Sequence, residues 1–370
     1  MSPENAATDP KLQRPQRIAI LPGDGIGRDV TAEAVKVLEA AAGRWSLPLE
    51  LVHFSYSADH YLETGVSLPP GQMEEFRDRF AAILIGAYGD PRIPDMRHAA
   101  DILLGIRFQL DLYVNFRPCQ LLDARLCPLA GKSEKDVDFI VFRENTEGAY
   151  VGMGGNFKKG TPDEVAVQEE VHTRKGVERI VRAAFDWARA NGRRKVLMAD
   201  KSNVMRFGHD LWQRVFAAVA AEYPELESSH MFVDALCMQL VRAPEQFDVI
   251  VTNNMFGDIV TDLGAALQGG LGVAGSANRH PGRVSMYEPV HGSAPKHAGT
   301  GRANPVGAVL STALMLDDLG HVEAAREIEA AVRAGIHAGE TTRDLGGALT
   351  TSEVGDRLAR AVAAGAVAAR

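Results

Sequence analysis

Three arginines have the type and spacing to bind a small anionic ligand. Arg107 and Arg117 lie on either side of the segment LDLYVN, and Arg143 follows the apolar run FIVF. A guanidinium group binds a carboxylate through two parallel hydrogen bonds and keeps its charge when it is buried. Any one of these arginines could instead form a structural salt bridge. Taken together, and with the aspartates described next, they favour a small di-acid ligand.

Three aspartates, Asp234, Asp258 and Asp262, are candidate ligands of a divalent cation. Asp258 and Asp262 are four residues apart in FGDIVTDLGAAL, so in a helix their carboxylates share one face. Like charges at this spacing destabilise an isolated helix, which indicates that a cation offsets them. Oxygen ligands of this kind suit Mg²⁺ or Mn²⁺. The alternative is that Asp258 caps a helix at Gly257 and that Asp262 is solvated.

Two further side chains could move protons. Lys201 follows an apolar run in ADKSN, and Tyr150 ends the segment RENTEGAY. Near a bound cation both groups could have lowered pKa values and act as base and acid. Each residue type is also common at protein surfaces, so neither alone indicates a site.

The glycine-rich segment LPGDGIG at 21–27 lies between a predicted strand and a predicted helix. It lacks the dinucleotide fingerprint because Arg28 stands at the position of the third glycine. It also lacks the Gly-Lys-Ser/Thr end of a phosphate-binding P-loop. A second fragment, Gly131-Lys132-Ser133, fails as a P-loop because Leu126 replaces the required glycine. LPGDGIG therefore predicts a tight strand-to-helix turn.

The elements that position these residues alternate between strands and helices. Such alternation predicts an α/β architecture in which helices cover the sheets. Predicted strands are Ile18–Leu21, Ile83–Ile85, Phe139–Phe142, Val196–Met198 and Val249–Val251, and predicted helices are Thr31–Ala42, Gly176–Ala190, Leu211–Glu222 and His321–Ile336. Thr31 is the predicted cap of its helix. No linker divides the chain, so the domains share a core or one is inserted in the other.

Composition excludes several classes of protein. The chain has 370 residues, 46% hydrophobic and 24% charged, and these globular values exclude wholesale disorder. A net charge of −8 argues against non-specific binding to nucleic acid or anionic membranes. Three cysteines are too few for a disulfide framework and match no zinc motif, which favours a reducing cytosol. Residues 1–16 are polar and predicted to be a loose tail, residues 359–369 to be a terminal helix, and the protein to be cytoplasmic.

Several long segments, in this order, resemble the isocitrate/isopropylmalate dehydrogenase family of metal-dependent decarboxylating 2-hydroxy-acid dehydrogenases. The similarity extends from about Ile18 to Ala361. It is most specific in LPGDGIG (21–27), LDLYVNFRP (110–118), RENTEGAY (143–150), DKSNV (200–204), QFDVIVTNNMFGDIVTD (246–262) and EPVHGSAPKHAGTGRANP (288–305).

The resemblance implies a two-domain α/β fold with a mixed sheet flanked by helices, distinct from the Rossmann fold. Residues 1–112 together with 269–370 would form a discontinuous cofactor-binding domain. Residues 113–268 would form the domain that binds substrate and metal and that dimerises. In this family the active site is completed only in a homodimer, because Lys201 and Asp234 reach in from the neighbouring subunit.

The resemblance also assigns roles to individual residues. Lys201 would accept the proton of the substrate hydroxyl, and Tyr150 would protonate the enolate carbon after loss of CO₂. The substrate would be bound by Leu103, Leu104, Arg107, Arg117 and Arg143, the Mg²⁺ or Mn²⁺ ion by Asp234, Asp258 and Asp262, and the cofactor by Ile26, His291, Gly292, Ser293, Ala294, Lys296 and Asn304.

Within the family the sequence favours 3-isopropylmalate as substrate. Leu103 and Leu104 match the apolar pair that receives an isopropyl group, and burial of such a group contributes about 1.5–3 kcal/mol. Isocitrate would place a carboxylate against these leucines and near Asp101, which disfavours it. Isopropylmalate enzymes commonly carry Glu where Ala100 stands, and tartrate/D-malate enzymes share the leucine pair. Tartrate/D-malate dehydrogenase is therefore the second interpretation, followed by homoisocitrate or isocitrate dehydrogenase.

The cofactor is predicted to be NAD, with NADP as an open alternative. NAD-specific relatives usually carry Asp after HGSAP, where this chain has Lys296 followed by His297. A cation there would attract a 2′-phosphate, and Arg343 could assist. A different class of interpretation is a non-catalytic regulatory subunit of the same fold. This chain keeps the arginines, aspartates, lysine and tyrosine of the site together, which favours an enzyme.

Overall fold

The computed structural model describes residues 15–365, which belong to two compact units. Unit 1 combines the chain up to Leu110 with the chain from Gly269 onward, and unit 2 is the insertion Asp111–Gln268. One unit is thus inserted in the other along the sequence. Residues 1–14 of the predicted tail and residues 366–369 of the predicted terminal helix lie outside the described residues.

Strands and helices alternate along both units. The strands of residues 15–365 are β1 (Gln16–Leu21), β2 (Leu49–His53), β3 (Ala82–Ile85), β4 (Val114–Gln120), β5 (Asp138–Glu144), β6 (Gly154–Phe157), β7 (Val165–Gln168), β8 (Lys195–Asp200), β9 (Glu227–Phe232), β10 (Val249–Thr252), β11 (Gly275–Arg279) and β12 (Ser285–Pro289). The α-helices are α1 (Ile26–Trp45), α2 (Ala58–Thr64), α3 (Gln72–Arg79), α4 (Arg97–Gln109), α5 (Arg174–Ala190), α6 (Gly208–Ala220), α7 (Val233–Arg242), α8 (Asn254–Leu267), α9 (Val306–Asp318), α10 (Val322–His337) and α11 (Thr351–Ala364).

In unit 1 the strand order is β2-β1-β3-β12-β11. β1 pairs in parallel with β2 and β3, β3 pairs in parallel with β12, and β12 is antiparallel to β11. The sheet is therefore mixed. Its central strands are almost fully buried, as expected when helices cover both faces.

In unit 2 the strand order is β4-β5-β10-β8-β9, with β4 antiparallel to β5 and the other pairs parallel. Because β5, β8 and β10 are parallel, their carboxyl ends meet at one edge of the sheet. Thr252 at the end of β10 is in register with Arg143 on β5 and with Ala199 on β8. This edge therefore brings together Arg143, the start of α8 and the loop that carries Lys201.

The predicted strands are confirmed, since each lies within one of the longer strands β1, β3, β5, β8 and β10. The predicted helices are also present, with ends shifted by a few residues, but the cap at Thr31 is wrong. α1 begins at Ile26, and its N-cap is Gly25 with no side-chain hydrogen bond. Gly25 has φ 55, a positive value that favours glycine, so the chain turns into the helix directly after the glycine-rich loop. Thr31 is a buried residue inside the helix.

None of the helices in the described part of the chain combines the length and apolar character that crossing a membrane requires. The three cysteines are free thiols. Burial raises the pKa of the Cys119 thiol to about 12, so it is an inert core residue beside α8.

Candidate active site

Arg143 lies at the carboxyl end of β5 and is only 1% exposed. Its Nη1 donates to Asp258 Oδ1 at 2.6 Å, while Nε and Nη2 both donate to Asn254 Oδ1 at 3.0 and 2.7 Å. The guanidinium also lies 5.3 Å from the centre of the Tyr150 ring. Residues of α8 therefore supply the partners that a permanently charged side chain needs at a buried strand end.

Arg117 on the neighbouring strand β4 points to the same helix. Its Nη1 donates to Thr261 Oγ1 at 2.7 Å and lies 3.5 Å from Asp258 Oδ1. Arg117 and Arg143 are both buried, and they converge on the same carboxylate. Unit 2 therefore contains a fixed pair of cations beside an acidic helix face.

The acidic face belongs to α8, which the side chain of Asn253 caps. Asn253 Oδ1 accepts a hydrogen bond from the Phe256 amide at 2.8 Å. Asp258 is thus inside the helix, and the alternative that it caps at Gly257 is wrong. Asp258 and Asp262 share one face of α8, as predicted. Burial, reinforced by the neighbouring Asp258 charge, raises the pKa of Asp262, and the nearby arginines only partly oppose this shift.

Tyr150 lies in a 3₁₀ turn, Ala149–Val151, at the end of the RENTEGAY segment. Its hydroxyl donates to Asp258 Oδ2 at 3.1 Å. The tyrosine is therefore next to the same carboxylate as the two arginines. This position suits a group that delivers a proton to a ligand bound there.

Lys201 and Asp234 form a second cluster in unit 2. Lys201 follows β8, Asp234 lies in the first turn of α7, and Lys201 Nζ is 2.6 Å from Asp234 Oδ1. The ammonium group lowers the pKa of Asp234. Within residues 15–365, ligand atoms of three residues come within 4.8 Å of one another only at Glu170, His172 and His209. One chain alone therefore does not assemble all three predicted aspartates.

The predicted specificity residues are on α4 of unit 1. Arg107 Nη2 donates to Glu288 Oε1 at 2.6 Å, and this pair is largely buried. Leu103 is partly buried, and Leu104 lines a cleft of about 560 Å³ together with Ala100 and Asp101.

The predicted cofactor segment contacts the glycine-rich loop within unit 1. The Ile26 amide donates to the Ser293 carbonyl oxygen at 2.8 Å, and a Cβ on Gly25 would be 2.1 Å from that oxygen. Only glycine therefore fits the approach of the two loops. Ala294 continues the segment with a left-handed φ of 36. Asn304 Nδ2 donates to Asp344 Oδ2 at 3.0 Å.

Three other predicted cofactor residues adjoin this contact. His291 and Gly292 precede Ser293, and burial lowers the pKa of the His291 imidazole. Lys296 is exposed in the 3₁₀ turn Pro295–His297.

Sequence reasoning missed the cluster of Glu170, His172 and His209. Glu170 and His172 precede β8 in the sequence and His209 follows it, so no local motif connects the three residues. Asn253 was also missed, although an asparagine directly before a helical pattern is a recognisable capping signal.

Comparison with known proteins places these features in one family. The family model described as isocitrate/isopropylmalate dehydrogenase matches residues 17–358. A 3-isopropylmalate dehydrogenase of Thermobifida fusca is 46% identical over 352 residues, which cover 95% of this chain and 98% of that protein. A D-malate dehydrogenase [decarboxylating] of Escherichia coli is 41% identical over 359 residues, covering 95% and 99%.

Solved structures agree with this assignment. Isocitrate dehydrogenase from Methylococcus capsulatus superposes with a TM-score of 0.85 at 35% identity, covering 94% of this chain and 99% of that one. The TT0538 protein from Thermus thermophilus gives a TM-score of 0.83 at 36% identity, covering 94% and 68%. The predicted α/β fold class and the predicted enzyme class are confirmed. The chain belongs to the isocitrate/isopropylmalate dehydrogenase family.

Proposed function

We propose that this dehydrogenase converts 3-isopropylmalate to 2-oxoisocaproate by oxidative decarboxylation, a step of leucine biosynthesis. The observation that carries the proposal is the convergence of Arg117, Arg143 and Tyr150 on Asp258, one turn from Asp262. Two buried cations beside paired carboxylates suit an anionic substrate held next to a divalent metal. The similarity to 3-isopropylmalate dehydrogenases over nearly the whole chain supports the choice of substrate.

The acidic face of α8 fits Mg²⁺ or Mn²⁺. Asp258 and Asp262 offer carboxylate oxygens on one face of the helix, and these are the ligands that such cations prefer. Asp234 of the partner subunit would complete the ligand set. When bound, the cation would polarise the hydroxyl and carboxylate oxygens of the acid, and the nicotinamide would supply the hydride acceptor.

The residues of the chain then perform the binding and proton transfers. Arg107, Arg117 and Arg143 bind the two carboxylates of the substrate, and Lys201 accepts the proton of its hydroxyl as the hydride leaves C2. When CO₂ leaves C3, the electrons of the broken bond form an enolate. Tyr150 then donates a proton to C3.

A homodimer is proposed because Lys201 and Asp234 form a pair of their own in each chain. Apolar side chains near these residues are exposed, as a surface covered by a second copy requires. On α7 Met238 and Val241 are 60% and 46% exposed, and on α8 Ile259 is 55% exposed. The two-stranded β6–β7 arm adds further exposed apolar side chains, Phe157, Val165 and Val167. Unit 2 is accordingly the substrate, metal and dimerisation domain, and unit 1 the cofactor domain.

The leucine pair Leu103 and Leu104 supports an apolar third substituent on the substrate. Tartrate/D-malate dehydrogenase remains the second candidate, since the D-malate enzyme of Escherichia coli is 41% identical to this chain. NAD is the proposed cofactor. The exposed Lys296 and Arg343 keep NADP as the alternative. Free thiols at all three cysteines fit a reducing cytosol.

The purified protein should be assayed with Mn²⁺, each nicotinamide cofactor, and isopropylmalate, D-malate, tartrate, isocitrate and homoisocitrate in parallel. We expect the highest kcat/KM with 3-isopropylmalate and NAD, loss of activity on chelation, and recovery with Mn²⁺ or Mg²⁺. A higher kcat/KM with D-malate or tartrate would overturn the substrate. A hundredfold preference for NADP would overturn the cofactor. Absence of turnover with every acid would support a non-catalytic subunit.

A further inference from the structure

Unit 2 contains a buried cluster in which two imidazoles face one carboxylate. His172 Nε2 is 3.1 Å from Glu170 Oε1, and His209 Nε2 is 3.7 Å from Glu170 Oε2. The side chains of Glu170, His172 and His209 are 12%, 2% and 0% exposed. Their spacing alone would suit a metal ion. The hydrogen bonds around the cluster lead to a different interpretation.

Each imidazole accepts a hydrogen bond at Nδ1 from a group that can only donate. Trp212 Nε1 lies 3.2 Å from His172 Nδ1, and the backbone amide of Lys201 lies 2.7 Å from His209 Nδ1. A neutral imidazole that accepts at Nδ1 carries its proton on Nε2. Both Nε2 atoms therefore carry the proton, at 3.1 Å (His172) and 3.7 Å (His209) from the oxygens of Glu170, and neither has a lone pair for a metal ion.

The same carboxylate also binds the residue that caps α8. Asn253 Nδ2 donates to Glu170 Oε1 at 2.9 Å and lies beside His209 Nε2 at 3.2 Å, so both nitrogens face the carboxylate. Asn253 Oδ1 caps the helix through the Phe256 amide. The His209 ring packs edge-on against the Phe256 ring with centroids 5.5 Å apart.

The cluster thus connects the two parts of unit 2 that carry the proposed chemistry. On one side His209 binds the backbone of Lys201, the proposed proton acceptor. On the other side Glu170 binds the N-cap of α8, which carries Asp258 and Asp262. We propose that Glu170 and His209 are positioning residues that hold the Lys201 backbone against the N-terminus of α8 in the same chain, and so present this lysine in a fixed position to the site of the partner subunit. This inference rests on the proposed function, because it takes Lys201 as the base.

The electrostatics of Glu170 agree with this role. Burial by itself raises its pKa, but the contacts with His172 and His209 outweigh burial and lower the pKa to about 2. The carboxylate is therefore ionised throughout the physiological range and available as an acceptor. A charged acceptor makes stronger hydrogen bonds than a neutral one, which favours a rigid connection.

Two substitutions of His209 separate positioning from general packing. Asparagine places its Oδ1 near the position of Nδ1 and can still accept from the Lys201 amide, whereas glutamine places its amide near Nε2 and cannot. We expect His209→Gln to lower kcat by about ten- to a hundredfold with little change in KM for the acid. His209→Asn should restore most of the lost kcat. Equal losses in both variants, or a loss only in KM, would overturn the proposal.

Two measurements do not depend on turnover. Hydrogen exchange of the segment that contains the Lys201 amide should be faster in His209→Gln than in His209→Asn, and equal exchange would overturn the proposal. Nitrogen-15 spectra of histidine-labelled protein should show a proton on Nε2, and none on Nδ1, in both imidazoles. An Nδ1–H tautomer, or a shift of these signals on titration with Zn²⁺, would also overturn it. If the wild type were inactive but showed the expected hydrogen exchange and tautomers, the proposed function would be refuted and the positioning role would stand.

Discussion

Gly257 in α8 touches Arg143, and alanine at this position should disturb the substrate site. A Cβ on Gly257 would lie 2.5 Å from Arg143 Cγ and 2.6 Å from Arg143 Cβ. Carbon atoms in ordinary contact are about 3.5–4.0 Å apart, so the stem of the arginine must move by about 1 Å. The guanidinium would then lose its alignment with Asp258 and Asn254.

Two effects of opposite sign determine the stability change. Replacing glycine by alanine inside a helix stabilises by about 0.5–1 kcal/mol. Overpacking a filled core costs about 1–3 kcal/mol. Since Arg143 is 1% exposed and hydrogen-bonded on three nitrogens, it has little room to yield, and we expect Gly257→Ala to destabilise by about 1–2 kcal/mol. A catalytic or binding group displaced by about 1 Å can lower kcat/KM by about a hundredfold.

The matched control is Gly43→Ala in α1, where a Cβ would meet no atom within 4 Å. The same substitution should there raise the unfolding temperature and leave kcat/KM unchanged. Thermal unfolding and steady-state kinetics with 3-isopropylmalate should be measured for both variants. If Gly257→Ala also unfolds at a higher temperature than the wild type and keeps its KM, then the inferred contact between α8 and Arg143 is wrong.

Four other substitutions test separate parts of the scheme. Lys201→Met should abolish turnover while calorimetry still detects binding of metal and acid; full activity would remove Lys201 from the reaction. Lys296→Asp should shift the ratio of kcat/KM with NAD to kcat/KM with NADP in favour of NAD. An unchanged ratio would mean that Lys296 does not bind the 2′-phosphate. Met238→Glu, on the exposed face of α7, should shift light scattering towards the monomer and reduce activity, whereas an unaltered mass would argue against that face as the interface. Because contacts with the imidazoles hold the pKa of Glu170 at about 2 despite burial, its ionised form stabilises the fold above pH 4.5 and this contribution is lost as pH falls towards 2. The stability difference between wild type and Glu170→Gln in urea should shrink over that range, and a constant difference would contradict the linkage.

Local sequence patterns identified the residues whose role depends on their own helix or strand. Asp258 and Asp262 are recognisable because a helix repeats after about four residues, and they lie on one face of α8. Arg143 is recognisable because a permanent charge at the end of a buried strand requires partners. The partners themselves, Asn254 and Asp258, come from a helix more than one hundred residues later. Only the parallel register of β5 and β10 brings them together.

Other pairs lack any local signal. Arg107 and Glu288 are separated by 181 residues, and Glu170 and Asn253 by 83. Each residue on its own resembles a solvated surface side chain. Charge pairing of this kind depends on which strands become neighbours, and that is decided by packing of the whole unit. The prediction that Thr31 caps its helix was wrong for a related reason. The turn at Gly25, which has a positive φ, starts the helix at Ile26, before Thr31 is reached.

The two clusters of unit 2 carry complementary groups, which supports a proposed site shared between two chains. The α8 face has two carboxylates beside two buried arginines. The other cluster has a base, Lys201, already neutralised by Asp234 at 2.6 Å. A carboxylate paired with a lysine is a poor metal ligand until another cation competes for it. Joining the clusters of two chains would bring Asp234 and Lys201 beside the carboxylates of α8, where Asp234 would help to hold the metal and Lys201 would serve as the base.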